Sequence, residues 1–326
     1  MNKKIATILF ICAVFFLNAC QKNIDIFVPD PGQLNGLDTT WSSTIPSTAP
    51  VVNLQSTLVT GPVNDSIEIN TAAVTLTESN GLQCTFTPLC FVTSAGVPVT
   101  GRVYLEIRLV KTKGEMVLLN KPTTSNGSML VSGGEIFISA TKNGQTLQLA
   151  PNAKIYLHYA DAPTFPQMKL FLGDESNPAQ MNWKPSTSSA DTVVVGSQAY
   201  EIATSHLRWI NCDYFYDTSG ITRSVVNASL PSNYTNTNTT TFLVFKDFRS
   251  VLGMYGDVPQ RRFVSGKVPN GKAAIVVAIS KQGNDYFLGK ETITTGVNAS
   301  TSNIQSVTVS PVKTSLADIR AYLATL

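Results

Sequence analysis

Alternation of apolar and polar residues is clearest in the stretch VYLEIRL, residues 103–109. Successive side chains of a β-strand point to opposite faces, so this pattern predicts a half-buried strand. The same period of two recurs at Ile136 and Ile138, at Ile155, Leu157 and Tyr159, at Met168, Leu170 and Leu172, and in residues 242–245, 273–279 and 307–309. The chain is therefore predicted to be all-β.

Glycine-containing pairs typical of tight turns separate the predicted strands: Asn80-Gly81, Asn126-Gly127, Gly133-Gly134, Asn143-Gly144 and Asn270-Gly271. Short strands joined in this way favour antiparallel β-sandwiches. The strands do not alternate with helices, which argues against doubly wound sheets and β/α barrels. One helix is predicted, at residues 316–323, with Thr314 or Ser315 as its N-cap and Leu316, Ile319, Tyr322 and Leu323 on one face.

The first nineteen residues resemble a bacterial lipoprotein signal. Lys3 and Lys4 precede the apolar run 5–17, whose helix would be about 20 Å long, shorter than a bilayer core of about 30 Å. The sequence LNAC, residues 17–20, then resembles the site at which lipoprotein signals are cleaved. We expect Cys20 to carry the lipid that anchors the protein to the outer membrane of the cell envelope, on its periplasmic or external face.

Residues 20–60 are rich in proline, serine and threonine, a composition that predicts an extended or mobile tether. Trp41 has two interpretations within it, packing back on the fold or lying at the lipid surface.

About 305 residues follow the predicted signal, enough for two domains. We expect one β-sandwich at 61–203 and a second at 204–326 that ends in the C-terminal helix. The boundary is drawn between a Ser/Thr-rich stretch at 186–197 and the aromatic segment WINCDYF, residues 209–215. In that segment we expect Ile210, Cys212 and Tyr214 to face inward, and the alternate residues to lie partly exposed or against the other domain.

Charge excludes one class of partner. Without Lys3 and Lys4 the chain carries 22 basic and 21 acidic side chains, and no basic block occurs. Nucleic acid is therefore not an expected partner. The partners expected are the membrane, through Cys20, and a protein or glycan ligand.

Three cysteines remain in the folded part, so at most one disulfide can form within the chain. Cys84 and Cys90 would be about 20 Å apart in one continuous strand, although a turn near Pro88 would allow them to pair. We favour buried thiols at Cys84, Cys90 and Cys212.

Several stretches resemble a family of uncharacterised envelope lipoproteins of the Bacteroidota. They are PVTG (98–101), GEMVL (114–118), PTTSNG (122–127), LVSGG (130–134), NGQ (143–145), WINCD (209–213), residues 242–246 and AISKQG (278–283). The resemblance covers about residues 60–326 and implies a ZU5-like first β-sandwich and an envelope location. It implies no activity. Tyr214 stands where such families have Arg or Lys after the aspartate.

Candidate catalytic groups are few. The two histidines, His158 and His206, lack a second ligand at metal-binding spacing, and we interpret both as structural. Cys212 would need one of them nearby in space to act as a nucleophile. Asp174-Glu175 is interpreted as a polar turn, with a calcium site or a catalytic carboxylate pair as the alternatives. No phosphate-binding loop and no Gly-x-Ser-x-Gly motif occurs in the sequence. The sequence therefore predicts no catalytic, cofactor-binding or metal-binding residues.

Two functional classes stay open. The first is a non-enzymatic envelope module that binds protein or glycan. The second is a glycan- or peptide-hydrolase accessory protein, or a cryptic hydrolase. The shortage of catalytic side chains favours the first, and the two classes differ in what their sites should look like. A flat row of Trp and Tyr would indicate glycan binding, whereas a deep cleft with two carboxylates would indicate hydrolysis.

Overall fold

Strands dominate the computed structural model, which describes residues 39–176 and 181–326. The all-β prediction is confirmed. The predicted signal and the proposed lipidation site, Cys20, lie outside the described residues. Three helices accompany the strands in the described part of the chain: α1 (Pro50–Leu58), α2 (Lys113–Leu118) and α3 (Leu316–Leu323). None of these three helices is long and apolar enough to cross a membrane.

The first sheet has eight strands. Its order is β1 (Val63–Ile69), β5 (Gly101–Val110), β7 (Ser128–Lys142), β15 (Arg208–Phe215), β11 (Lys169–Asp174) and β12 (Asn182–Pro185), with β6 (Thr124–Ser125) and β8 (Gln145–Thr146) also paired to β7. The strand predicted from residues 103–109 is therefore β5, with β1 and β7 as its antiparallel neighbours.

A five-stranded sheet packs against the inner face of the first sheet. Its order is β13 (Thr192–Val195), β14 (Ala199–Thr204), β10 (Ile155–Ala160), β3 (Gln83–Phe86) and β2 (Val74–Thr77). Two short strands, β4 (Phe91–Val92) and β9 (Gln148–Leu149), pair beside it. Alternate residues of both sheets, such as Leu105, Ile138 and Leu157, fill one apolar core between them. This arrangement is a β-sandwich.

The third sheet also has eight strands. Its order is β22 (Ile304–Thr308), β16 (Arg223–Ser229), β19 (Arg262–Pro269), β18 (Val251–Asp257), β17 (Thr239–Phe245), β20 (Ala273–Gln282), β21 (Asp285–Thr294) and β23 (Val312–Thr314). Strand β18 pairs with β17 through its first residues and with β19 through its last. Strands on either side of β18 contribute side chains to one core, which includes Val226, Phe263 and Val276. All pairs are antiparallel except β16 with β22.

A third cluster of apolar side chains, here called the central core, joins the first sheet to the third. It includes Phe137, Trp183 and Trp209 from the outer face of the first sheet, and Phe242 and Val277 from the third. The three helices also contribute to it: Leu54 and Leu58 of α1, Met116 and Val117 of α2, and Ile319 and Leu323 of α3. Residues 39–176 and 181–326 accordingly lie in one compact unit.

Strand β15 corrects the position of the predicted domain boundary. The segment expected to begin the second sandwich lies between β7 and β11, in the first sheet. The next strand, β16, is the first that belongs to the third sheet. The predicted orientation within β15 is confirmed, because Ile210 and Cys212 lie in the first core and Trp209 in the central core.

The tether prediction is wrong for its described C-terminal part. Residues 50–58 form α1, with Pro50 in its first turn and with Leu54 and Leu58 completely buried. The spacing of Val51, Leu54 and Leu58 places all three on one helical face, which explains why this segment packs against the fold. Trp41 also packs back, with its ring centroid 5.1 Å from that of Phe263.

The turn predictions divide into two groups. Asn143 and Gly144, with φ of 51° and 75°, form the tight turn between β7 and β8. Gly133 and Gly134 were predicted as a turn, but they lie within β7, opposite an irregularity in the pairing with β15. A Cβ on Gly134 would lie 3.2 Å from the Tyr159 ring, so close packing accounts for this glycine. The predicted C-terminal helix is confirmed as α3, and Ser315 is its N-cap.

Candidate ligand-binding site

His206 lies in the turn between β14 and β15, where the chain crosses from the five-stranded sheet to the first sheet. The β13–β14 hairpin sets its surroundings. Thr192 pairs with Ala203, so Asp191, which precedes β13, lies beside the residues that follow β14. The backbone N–H of His206 donates to Oγ1 of the buried Thr204, which holds the turn in place.

The side chain of Asp191 lies beside the imidazole of His206. This side chain is completely buried, and its Oδ2 lies 3.2 Å from Nε2 of His206. The same carboxylate accepts hydrogen bonds from the hydroxyl of Ser186 at 2.5 Å and from the N–H of Ser205 at 2.9 Å. A buried carboxylate with these donors is well satisfied. No residue of 39–176 or 181–326 hydrogen-bonds Nδ1 of His206.

A pocket of about 360 Å³ lies in front of this histidine, here called the His206 pocket. Strand β7 continues past Ile138, the partner of the first residue of β15, and its next residues, Ser139 and Ala140, line the pocket. The walls come from β8, β9 and the turn of His206: Thr146, Leu147, Gln148, Leu149, Ser205, Leu207 and Arg208. Its volume falls in the usual range for small-molecule sites, about 300–1,000 Å³.

Arg208 borders the pocket in an uncommon backbone conformation, with φ of 73°. Its Nε and one terminal nitrogen lie 3.1 and 3.3 Å from the two carboxylate oxygens of Glu175, a bidentate ion pair. Its guanidinium carbon also lies 4.8 Å from the centre of the Phe137 ring. Left-handed backbone at a non-glycine residue is sparsely populated and is concentrated at functional sites. These contacts hold the guanidinium against Glu175 and the Phe137 ring.

The hydroxyls of the pocket are not arranged for nucleophilic attack. Ser139 Oγ donates to Glu106 at 3.3 Å, and Ser205 Oγ lies 3.3 Å from Asp191. A serine nucleophile requires its hydroxyl to be hydrogen-bonded to the base. No serine or threonine of the described chain makes such a bond to His206. The arrangement can therefore hold a ligand, but it lacks an activated serine.

His158 lies elsewhere, on the outer face of the five-stranded sheet. The strand registers place ten outward side chains there in two rows across the five strands: Thr192, Ala203, Tyr156, Thr85 and Thr75, then Val194, Glu201, His158, Gln83 and Thr77. His158 Nδ1 lies 3.9 Å from Glu201 at the exposed surface. Tyr156 is the one aromatic residue among the ten, so this face is not the row of aromatic side chains that would indicate glycan binding.

Two carboxyl groups are completely buried on the other face of the first sheet. Asp213 accepts a hydrogen bond from Asn211 Nδ2 at 2.6 Å, whereas neither oxygen of Glu135 has a partner within the described structure. Burial, together with the nearby Asp213, raises the pKa of Glu135 well above its usual value. Burial likewise raises the pKa of Asp213, against the hydrogen bonds from Ser132 and Asn211. Buried in this way, the pair does not form the open cleft that hydrolysis requires.

The cysteine prediction is confirmed. Cys84, Cys90 and Cys212 are free and buried in the first core. Burial raises the pKa of Cys84 to about 12 and that of Cys90 to about 11. Burial, followed by the nearby Asp213, raises the pKa of Cys212 as well. Thiols protonated at neutral pH are poor nucleophiles, so these three are structural.

Asp174 and Glu175 each form an ion pair with a different basic side chain. Asp174 ends β11, lies 2.6 Å from the amine of Lys184, and has its pKa lowered by that contact and by Ser176. Glu175 holds Arg208. The two acids therefore serve separate ion pairs, which supports their interpretation as a polar turn.

The Asp191–His206 pair escaped the sequence analysis. The two residues are fifteen positions apart and match no motif. The sequence did contain one indication of this contact. If TVVV (192–195) is paired with AYEIAT (199–204) as a hairpin, Asp191 and His206 lie close together. Comparison with models of protein families finds no match, and comparison with curated proteins finds no significantly similar sequence.

Proposed function

We propose that this protein is a lipoprotein of the cell envelope, anchored to the outer membrane through Cys20, that acts as a non-enzymatic binding module. The N-terminal signal pattern and the resemblance to envelope lipoproteins support the anchor and the location. The His206 pocket is the proposed binding site, and its ligand belongs to a protein or a glycan.

One observation carries the proposal. The buried carboxylate of Asp191 lies 3.2 Å from Nε2 of His206 at the edge of a pocket, while Nδ1 of the ring makes no hydrogen bond within the described chain. Preorganised polar groups around a partly apolar cavity are what small-molecule sites share.

A hydrolase, or an accessory to one, is the second candidate, and the same pair is the observation in its favour. A histidine oriented by a buried carboxylate is also the arrangement of a general base. The two pocket serines, Ser139 and Ser205, argue against this candidate, because their hydroxyls contact carboxylates rather than the imidazole.

The test uses the complete chain, solubilised in detergent, on glycan and peptide arrays. Gln148 lines the pocket with an exposed side chain, so Gln148→Ala should leave the fold unchanged while removing a hydrogen-bonding group. We expect this variant to bind the retained ligand about three- to tenfold more weakly, as one lost hydrogen bond predicts.

Gln145→Ala is the matched control, because Gln145 is an exposed glutamine of the neighbouring β8 that does not line the pocket. Equal loss of binding in both variants, or no loss in either, would remove the His206 pocket from the proposal.

A further inference from the structure

Strand β13 lies at one edge of the five-stranded sheet. In the part of the chain that the structure describes, it pairs with β14 alone. Its sequence, TVVV, contains no charged residue and no proline, its register with β14 contains no bulge, and Val194 is 58% exposed. Charges, prolines and bulges are the usual features that keep a sheet edge from pairing with another chain. Strand β13 has none of these three.

Other edges of the described sheets are protected. Strand β22 is covered, because the side chain of Gln305 donates to the carbonyl of Thr294 in β21 at 3.0 Å. Strand β2 is uncharged, but it is followed by Glu78, whose pKa is raised by burial and then by the nearby Asp65. The remaining long edges carry charges or proline: Asp65 and Glu68 in β1, Lys184 and Pro185 in β12, and Lys313 in β23.

The hairpin register determines which backbone groups of β13 point outward. The N–H of Gly196 donates to the carbonyl of Ala199 at 2.9 Å, and these two residues are the next partners in the β13–β14 register. Bonded and non-bonded pairs alternate along an antiparallel ladder. Val194 therefore bonds to β14, whereas Val193 and Val195 direct their N–H and C=O groups away from it. Four backbone groups face the open side of the strand.

The edge is held in place from behind. The side chains of Val193 and Val195 pack against the first core. The loop that follows is also tied down, because the Thr164 hydroxyl donates to the carbonyl of Gly196 at 2.7 Å and the N–H of Asp161 donates to the carbonyl of Gln198 at 2.9 Å. A partner strand would therefore meet a preorganised template, which lowers the entropic cost of binding.

We propose that β13 binds an extended, uncharged peptide segment of another protein, which adds a sixth strand to the five-stranded sheet. An extended backbone matches alternating free N–H and C=O groups, as in other cases of strand addition. A strand without charged side chains has no means of attracting a charged segment. A second copy of this chain fits less well, because four residues cannot supply the roughly 800 Å² per partner of a standard interface. This surface is additional to the His206 pocket and goes beyond the proposed function.

The test uses the full chain in detergent and a capped, fluorescein-labelled peptide of sequence GTVTVTG, titrated by fluorescence anisotropy. Val193→Pro removes one outward N–H and leaves the N–H groups that bond to β14, and proline is tolerated at such edge positions. We expect saturable binding to the wild type and about tenfold weaker binding to Val193→Pro, as the loss of one hydrogen bond predicts.

Three controls make the result specific. Thr77→Pro is the matched variant on the opposite edge, because the bond from the N–H of Glu78 to the carbonyl of Leu82 leaves the N–H of Thr77 pointing outward. It should bind the peptide as the wild type does. The same peptide N-methylated at every threonine and valine should not bind. Val194→Lys leaves the backbone intact and places a charge on the edge, so it should weaken binding even if Val193→Pro fails to fold.

Several results would overturn the proposal. These are no binding of the peptide, equal binding of its N-methylated form, and equal effects of Val193→Pro and Thr77→Pro. A dimer that sedimentation detects in the wild type and not in Val193→Pro would assign the edge to a second copy and contradict a peptide partner. Gln148→Ala should bind the peptide normally, so failure of this proposal and failure of the His206 pocket are distinguishable.

Discussion

Glu135 is the residue at which burial and charge conflict most strongly. Its carboxyl is completely buried beside Asp213, and neither of its oxygens has a hydrogen-bond partner in the described part of the chain. An ionised carboxylate in such a place is costly, so the group stays protonated in the folded protein. Because the unfolded chain releases this proton at a pH near 4.3, the folded state loses stability as the pH rises above that value.

Glu135→Gln should therefore stabilise the protein at pH 8. The amide never ionises, which removes the penalty that the raised pKa of Glu135 represents. We expect the free energy of unfolding to rise by about 1 kcal/mol or more at pH 8 and by little at pH 4, since one pKa unit corresponds to about 1.4 kcal/mol. Urea denaturation at both pH values measures it. The exposed Glu291→Gln is the control, and equal destabilisation by Glu135→Gln at both pH values would show that the pKa of Glu135 is not raised in the fold.

Residue patterns predicted burial better than they predicted pairing. The alternation in WINCDYF correctly placed Ile210 and Cys212 in a core, because strand geometry alone determines which side chains share a face. The contact between Asp191 and His206 could not be derived in this way. It depends on the register of the β13–β14 hairpin and on the crossing between two sheets, and the alternation of apolar residues specifies neither.

At the scale of elements, α2 and α3 meet at a glycine. An ideal Cβ on Gly114 would lie 1.8 Å from the carbonyl oxygen of Leu323, the last residue of α3. This close approach lets Ile319 and Leu323 enter the central core. Position 114 therefore determines how tightly the C-terminal helix packs.

Gly114→Ala should displace α3. The overlap with a backbone atom cannot be relieved by a side-chain rotation, and such overpacking costs about 1–3 kcal/mol. We expect the lower stability together with faster amide hydrogen exchange in residues 319–324, as followed by NMR or mass spectrometry. Gly61→Ala is the matched control, because a Cβ there has no atom within 4 Å. Unchanged exchange in α3 would contradict the packing described.

Elements with a strong local pattern were predicted, whereas those defined by tertiary partners were not. The spacing of apolar residues in α3 and the serine that caps it are local, so its bounds agree with the prediction. The membership of β15 is not local, because its hydrogen-bond partners β7 and β11 lie far away in sequence. For α1, the proline-rich composition of residues 20–60 hid a three-residue apolar face that was present in the sequence.

At the scale of the whole molecule, the first and third sheets are tied by more than the central core. Arg249, in the turn between β17 and β18, binds both carboxylate oxygens of Asp161 at 3.0–3.1 Å and donates to the carbonyl of Gly133 at 3.0 Å. These contacts join the third sheet to the β-sandwich.

Membrane attachment is predicted to depend on one sulfur atom. Cys20→Ser removes the thiol that would carry the lipid, and several acyl chains are needed for stable anchoring. We expect the variant in the soluble fraction or as an uncleaved precursor when membranes are separated by centrifugation and the chain mass is measured. Membrane association and mature mass equal to those of the wild type would contradict the proposed anchor.

The central functional claim is that the His206 pocket binds a ligand without transforming it. The most direct measurement incubates the full chain with the glycan or peptide that it retains, then determines both the bound amount and the mass of the recovered ligand. We predict recovery at unchanged mass, with less ligand bound by Gln148→Ala and an unchanged amount bound by Gln145→Ala. The opposite result, products of lower mass whose formation falls in His206→Ala, would contradict the claim and identify the protein as a hydrolase.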